Sequence, residues 1–224
     1  MLLSLGQQDL ATYVIRQLDH FFPDGRAASE IADGLEAVLD RVERCFRAID
    51  NKYFRVDAQA RFNHLHSDQY AMFLYLLANT LYRRGVDQRL CDKVYCLNKA
   101  LHGIDVYYEV ELPDIFLFGH AVGTVLGRAR YANHFLIQQN CTVGASREAR
   151  PGEQAEFPVI GEYVAIYAGA SVLGKCQIGD NCKIAAHSAV LDQDLAANTI
   201  YIGTRASHVL KVNQSHDNIW AASD

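Results

Sequence analysis

From Ile160 onward the apolar positions fall every six residues: Ile160, Ile166, Val172, Ile178, Ile184, Val190, Ala196 and Ile202. Seven of these eight are Ile or Val at one phase. A small residue often follows, as in Ile160-Gly161, Ile178-Gly179, Ile184-Ala185 and Ile202-Gly203. Neither a helix nor an ordinary strand has a six-residue period. A short fixed repeat marks a solenoid, in which each unit buries its apolar face only by stacking on its neighbours. Stepping back by six from Val143 gives Ile137, Tyr131 and Val125, so a first block covers roughly 119–144. With about six coils the solenoid has open ends, which need capping or association. Between the blocks, residues 145–157 (ASREARPGEQAEF) carry mixed charge, a Pro-Gly pair and no periodicity. They read as a surface loop extruded from a regular scaffold, a place where function often resides.

The first hundred residues follow a helical period instead. Leu35, Val38, Leu39, Val42, Cys45, Phe46 and Ile49 form one amphipathic stripe. Ser67 is placed to cap a second, mostly apolar helix (DQYAMFLYLLANTLYRR) that must be buried on several sides before Gly85 stops it. A third helix is expected from about Gln88 to Leu101, ending at Gly103. The fold class is therefore α+β. A helical N-terminal region over 1–104 precedes a parallel β-solenoid over 105–212 with its loop at 145–157, and a tail over 213–224 follows.

The chain has 224 residues, half of them apolar, and a formal net charge of −5. That charge gives no reason to expect a nucleic-acid partner. No apolar run has the length of a bilayer span, and the start MLLSLGQQDLATYV has no basic region before its short apolar stretch. Six cysteines (Cys45, Cys91, Cys96, Cys141, Cys176, Cys182) lack metal-ligand spacing, which fits free thiols in a reducing cytoplasm. Cys176 and Cys182 are one hexad apart and are expected on different faces, unbridged. His64 and His66, in NHLHSD, have no third ligand in view and read as part of a helix start, so no metal is expected.

Two segments carry a resemblance to a known family: DVYYEVELPDIFLFGHAVGTVLG (105–127) and IGEYVAIYAGASVLGKCQIGDNCKIAAHSAVL (160–191). Hexads of the form Ile-Gly-x-x-Ala-x behind a helical N-terminal region resemble the hexapeptide-repeat acyltransferases, specifically the serine acetyltransferase group. The resemblance implies a left-handed parallel β-helix with three hexads per coil, an exception to the right-handed crossover rule. It also implies acetyl-coenzyme A as co-substrate, a homotrimer with active sites between subunits, and pairing of trimers through the helical regions.

By the same resemblance His120, in the pattern HAxG, matches the catalytic histidine, and Asp105 matches its carboxylate partner. Imidazole titrates near neutrality, so it can take a proton from an attacking hydroxyl and return it to a leaving thiolate. A carboxylate on the other ring nitrogen fixes the tautomer. Fifteen residues is close to one coil, which would put the two side chains on neighbouring rungs. Glu109, Glu111 and Asp114 are rival partners, and His134 is the reserve base. Ala168-Gly169 and Ala185-Ala186 match the small-residue turns that hold the pantetheine arm, because small residues let a ligand approach the backbone. His187 stands where the family has glycine. Arg205, His208 and Lys211 are placed to meet the nucleotide phosphates.

The acceptor region departs from the family. Gly119 replaces an aspartate directly before the histidine, and Glu156-Phe157-Pro158 replaces Arg-His-Pro. Both positions would hold the amino acid's charged groups, so the substrate-binding set at Gly119 and Phe157 puts serine in doubt. Arg147 or Arg150, in the loop, are candidates to compensate. The expected activity is O-acetyl transfer to a hydroxyl of serine or of a sugar or nucleotide sugar. The alternatives are N-acylation of an amino sugar, a non-catalytic assembly module, and a metal enzyme of the solenoid carbonic anhydrase kind. That last option needs three converging histidines, where only His120 and His134 lie in suitable coils.

Overall fold

The computed structural model describes residues 1–25, 28–146, 156–215 and 219–221. They form two units. One holds Met1–Gly103, Tyr107–Glu109 and the segment beginning at Ile219, and the other holds Ile104–Val106 and the chain from Val110. No helix among the described residues is long and apolar enough to cross a membrane.

The first unit contains β1 (Leu2–Leu3), α1 (Gln7–Phe21), α2 (Glu30–Arg47), β2 (Arg55–Val56), β3 (Gln59–Phe62), α3 (Ser67–Arg83) and α4 (Gln88–His102). The α2 stripe lies inward as its spacing predicts, but the helix begins at Glu30, one turn earlier than the apolar positions suggest. Gly34 sits in that extra turn, where an added Cβ would come within 3.2 Å of Leu81 on α3. Helix α3 is buried continuously from Gln69 to Leu81. Its cap is His66, whose side chain accepts from the Gln69 N–H, while Ser67 is already helical. The buried Gln69 is satisfied on both sides: Oε1 accepts from Asn63 N at 2.7 Å and Nε2 donates to the Tyr53 carbonyl at 2.7 Å. Helix α4 ends at Gly103 in the left-handed conformation (φ 63°), as expected. Helix α1 was not expected; Leu10, Ala11, Val14 and Leu18 are its buried positions. The end of the chain returns to this unit. Asp50 N donates to the Ile219 carbonyl (2.7 Å) and Ala221 N to the Ala48 carbonyl (2.8 Å), with Trp220 bridged to Ile49 between them.

The second unit winds parallel strands into three faces. The first face stacks β4 (Asp105–Val106), β6 (Val125–Leu126), β9 (Thr142–Gly144), β12 (Ser171–Leu173) and β15 (Ala189–Leu191). The second stacks β7 (Arg130–Tyr131), β10 (Val159–Ile160) and β13 (Gln177–Ile178). The third stacks β5 (Phe116–Gly119), β8 (Phe135–Gln138), β11 (Ala165–Ile166), β14 (Lys183–Ile184) and β16 (Thr199–Thr204). This amounts to about five coils rather than six. In the regular part Ile160 pairs with Ile178, Ile166 with Ile184 and Val172 with Val190, each pair eighteen residues or three hexads apart.

The phase of the repeat holds from Tyr131 to Val190 and slips by one residue at each end. Leu126, not Val125, pairs with Val143 and is buried, whereas Val125 is 41% exposed. At the other end Leu195 bridges Ile178 and Tyr201 pairs with Ile184. Tyr201 is fully buried while Ile202 is 37% exposed and Ala196 is exposed. Five residues rather than six therefore separate the inward positions Val190 and Leu195. A second interior row lies two residues before each inward hexad position: Val164, Ala170, Cys176, Cys182 and Ser188 are all buried. Cysteine suits this row because it is small and weakly polar. None of the six cysteines is bridged to another. Cys176 and Cys182 donate to the Leu173 and Ala196 carbonyls, each at 3.1 Å, and burial pushes both thiols up.

The last coil is sealed by polar groups. Asn181 Nδ2 donates to Asn198 Oδ1 (2.8 Å), and Asn213 Nδ2 donates to the Asn181 carbonyl (2.9 Å). Strand β17 (Ser207–Val212) folds back antiparallel on β16. The phase slip yields a direct test. Ile184→Ala should cost about 2–5 kcal/mol in denaturant unfolding, whereas Ile202→Ala should change stability by no more than about 0.5 kcal/mol.

Candidate active site

His120 opens the turn between the third and first faces. It follows β5 with φ 53°, in the left-handed region that non-glycine residues seldom occupy. Its carbonyl accepts from Val122 N (2.7 Å), Ala121 O accepts from Thr124 N (3.2 Å), and Gly123 (φ 73°) completes the reversal into β6. The buried Thr124 ties this turn to the next coil: its Oγ1 donates to the Gln138 carbonyl (2.6 Å) and accepts from Cys141 N (3.2 Å).

Asp105 is fastened to the far end of the same turn, because its N–H donates to the Thr124 carbonyl at 2.9 Å. Strand pairing sets Asp105 beside Val125, so this coil takes twenty residues rather than fifteen. The aspartate thus lies one rung from the strand that His120 leads into. Asp105 is half-buried, while Glu109, Glu111 and Asp114 are exposed.

The edge that starts at His120 continues through the coils above. Gly119 pairs with Gln138. Register then places Tyr167 and Ala185 over Gln138, Ala168 and Ala186 over Gln139, and Gly169 and His187 over Asn140. Gly169 N donates to the Gln139 carbonyl (2.9 Å), and His187 N donates to the Ala168 carbonyl (2.9 Å). Ala168, Gly169, Ala185 and Ala186 therefore share the edge of His120, with Ala168 level with Ala186 and Ala185 one position away. Gly169 has φ 71°, and an added Cβ would come within 2.6 Å of the His187 Nδ1, so the imidazole seats itself on this glycine. Beyond Ala186 the column reaches Gly203, opposite His208 on β17. His208 stacks on Tyr201 with ring centroids 5.0 Å apart. Arg205 lies in the β16–β17 turn and Lys211 opposite Ile200, both exposed.

The acceptor candidates divide between two edges. Gly119 adjoins His120. Phe157 lies where the first face turns into the second, with the Arg128 guanidinium 5.2 Å from its ring centroid, and Glu156 pairs there with Lys175 at 3.2 Å. Arg147 and Arg150 fall outside the described residues. His134 occupies the remaining edge, stacked on Tyr163 at 4.1 Å, and burial lowers its pKa against an opposing pull from Glu162. It does not join His120. His64 contacts Ser4 Oγ (2.8 Å) in the helical unit. Thr124 and Gln138 are the edge residues that sequence reasoning missed. Gln138 was within reach of the register, since it directly follows the inward Ile137.

The model of the bacterial transferase hexapeptide (six repeats) matches residues 157–192. A putative serine acetyltransferase of Schizosaccharomyces pombe is 29% identical over 65% of this chain and 52% of its own length. The serine acetyltransferase of Synechococcus elongatus is 32% identical over 48% of this chain and 43% of its own. The chain spans about half the length of these curated relatives. Among solved structures, the serine acetyltransferase of Neisseria gonorrhoeae superposes with a TM-score of 0.72 at 25% identity, covering 92% of this chain and 79% of that one. The serine acetyltransferase of Brucella abortus in complex with coenzyme A superposes at 0.70 and 20% identity, covering 96% and 85%, a likeness of fold. By repeat, sequence and fold, this chain carries a hexapeptide-repeat segment and is similar to the serine acetyltransferases.

Proposed function

We propose that this chain is an acetyl-coenzyme A-dependent O-acetyltransferase with His120 as general base and Asp105 as its orienting carboxylate. The observation that carries the reading is the turn at 120–124. It places His120 at one end with a positive φ, bonds Asp105 at the other, and stands below a column of small residues.

His120 removes the proton of the acceptor hydroxyl as the oxygen's electron pair forms the new C–O bond to the thioester carbon. When the C–S bond breaks, the imidazolium returns that proton to the thiolate. Asp105 holds the ring tautomer and steadies the imidazolium while the charge is present. Ala168, Gly169, Ala185 and Ala186 line the path of the pantetheine arm, and Arg205, His208 and Lys211 meet the nucleotide end.

A trimer with left-handed coils completes this reading. Within one chain His120 and Phe157 stand on different edges, and a neighbouring copy supplies the second edge to the first. The helical unit, residues 1–104, would then serve to pair trimers. Cysteines without disulfides suit a reducing cytoplasm.

Serine is the acceptor that the named relatives carry. A sugar hydroxyl is the second reading, favoured by Gly119, which has no carboxylate, and by Phe157, which has no charge and is covered by Arg128.

Thiol release from acetyl-coenzyme A, with serine beside a panel of sugars, amino sugars and nucleotide sugars, decides between them. A product cleaved by mild base is an ester, and a base-stable one indicates N-acylation. His120→Ala should lower turnover by about two to four orders of magnitude. A folded variant with near-wild-type turnover would remove His120 from the mechanism, and absence of both transfer and coenzyme A binding in the wild type would leave an assembly module. Light scattering should report a multiple of three chains.

A further inference from the structure

We propose that Gln138 is a catalytic residue that donates its side-chain amide N–H to the carbonyl oxygen of the thioester as negative charge develops there. This rests on the acetyl-transfer reading above. Gln138 ends strand β8 on the edge of His120 and pairs with Gly119, the residue immediately before the histidine. Glycine leaves that neighbour open: an added Cβ at 119 would meet Gln138 Cγ at 3.6 Å, so the glutamine lies directly over it.

The amide is oriented as well as near. Gln138 Oε1 accepts from Ala168 N at 3.1 Å, which identifies the oxygen, because a backbone N–H can only donate. That bond commits the oxygen to the coil above and leaves the Nε2 hydrogens directed away from it. The Gln138 carbonyl is fixed separately by Thr124 Oγ1 (2.6 Å), the residue that also closes the His120 turn. A half-buried amide with its acceptor occupied and its backbone locked is a preorganised donor.

Its position gives it this task. Along the edge, Gln138 stands one strand spacing, about 4.8 Å, above Gly119 and one below Tyr167, the residue that leads into the small-residue turn at Ala168. It therefore lies between the base and the path of the donor's arm, where the thioester carbon must sit to be attacked. As the hydroxyl oxygen bonds to that carbon, the C=O pair moves onto oxygen and Nε2–H donates to it. When the pair returns and the C–S bond breaks, the thiolate takes the proton held by His120. A neutral amide donates throughout without exchanging a proton.

Three variants separate this role from a structural one. Gln138→Met removes donor and acceptor at similar volume. Gln138→Glu keeps an oxygen for Ala168 N–H but has no N–H of its own. Gln138→Asn keeps the amide on a shorter stem. Both Met and Glu variants should lose about 10²–10³-fold in kcat, with the KM for acetyl-coenzyme A and acceptor little changed. The asparagine variant should recover part of the loss. Melting temperatures establish that each variant is folded.

If Glu at 138 retains kcat while Met does not, the glutamine acts only through its bond to Ala168 and the proposal is overturned. It is equally overturned if all three retain kcat, or if the losses appear in KM alone. Wild-type enzyme and His120→Ala are assayed alongside. Near-wild-type transfer in His120→Ala removes that histidine from the mechanism, wild type with no transfer at all overturns the acetyl-transfer reading itself, and either result takes this inference with it. Dependence on His120 without dependence on Gln138 overturns this inference alone.

Discussion

Everything in the second unit depends on one constraint: a coil cannot satisfy its own backbone. Each short strand has its hydrogen-bonding partners in the coils above and below, so the chain must stack in register or leave buried polar groups unpaired. The inward column from Leu126 to Tyr201 supplies apolar burial along the same direction, and the cysteine-containing row beside it fills the space near the turns. Register and burial thus reinforce each other. The edges inherit their alignment from both, which is why residues as distant in sequence as Gly119, Gln138, Tyr167 and Ala185 stand in one line.

Stacking leaves the ends and the edges as separate problems. The last coil closes its exposed polar groups with the Asn181, Asn198 and Asn213 side chains. At the edges the chain must turn sharply in the left-handed region. Glycine takes some of these positions, while asparagine and histidine take others: Asn140, Asn181, Asn198, His120, His134 and His187 all have positive φ. Asn and His are among the residues that tolerate this conformation best. A histidine there needs its surroundings to hold it, as Tyr163 does for His134 and Gly169 does for His187.

Much of this was legible in the sequence, and the exceptions have physical causes. The six-residue phase from Tyr131 to Val190 and the helical stripes of α2 and α3 follow from the spacing of apolar side chains. The slips at Leu126 and Leu195 were hidden because a turn shortened by one residue leaves apolar residues at both candidate phases. Val125 and Ile202 hold the fixed six-residue step but face outward. Helix α1 escaped notice because its buried face includes an alanine and is interrupted by polar residues. His66 displaced Ser67 as a cap because the helix begins at Ser67 itself, one residue earlier than a serine cap would require. In the candidate site, His120 and Asp105 were approached through a resemblance. Their shared turn needed strand register to be seen, since Asp105 pairs twenty residues onward and not fifteen. The register places Gln138 on the outside directly after Ile137, but nothing in one outward glutamine beside a repeat marks it for a role.

The segregation of features by edge has a consequence for how such a protein can change. Lengthening or replacing the segment between β9 and β10 alters only one corner of the prism, because the strands before and after it resume the same register: Thr142 pairs with Ser171, and Arg130 with Val159. The column above His120 is untouched by such edits. The corners are thereby separable on one scaffold, and a lineage can exchange the one between β9 and β10 while the column above His120 stays fixed.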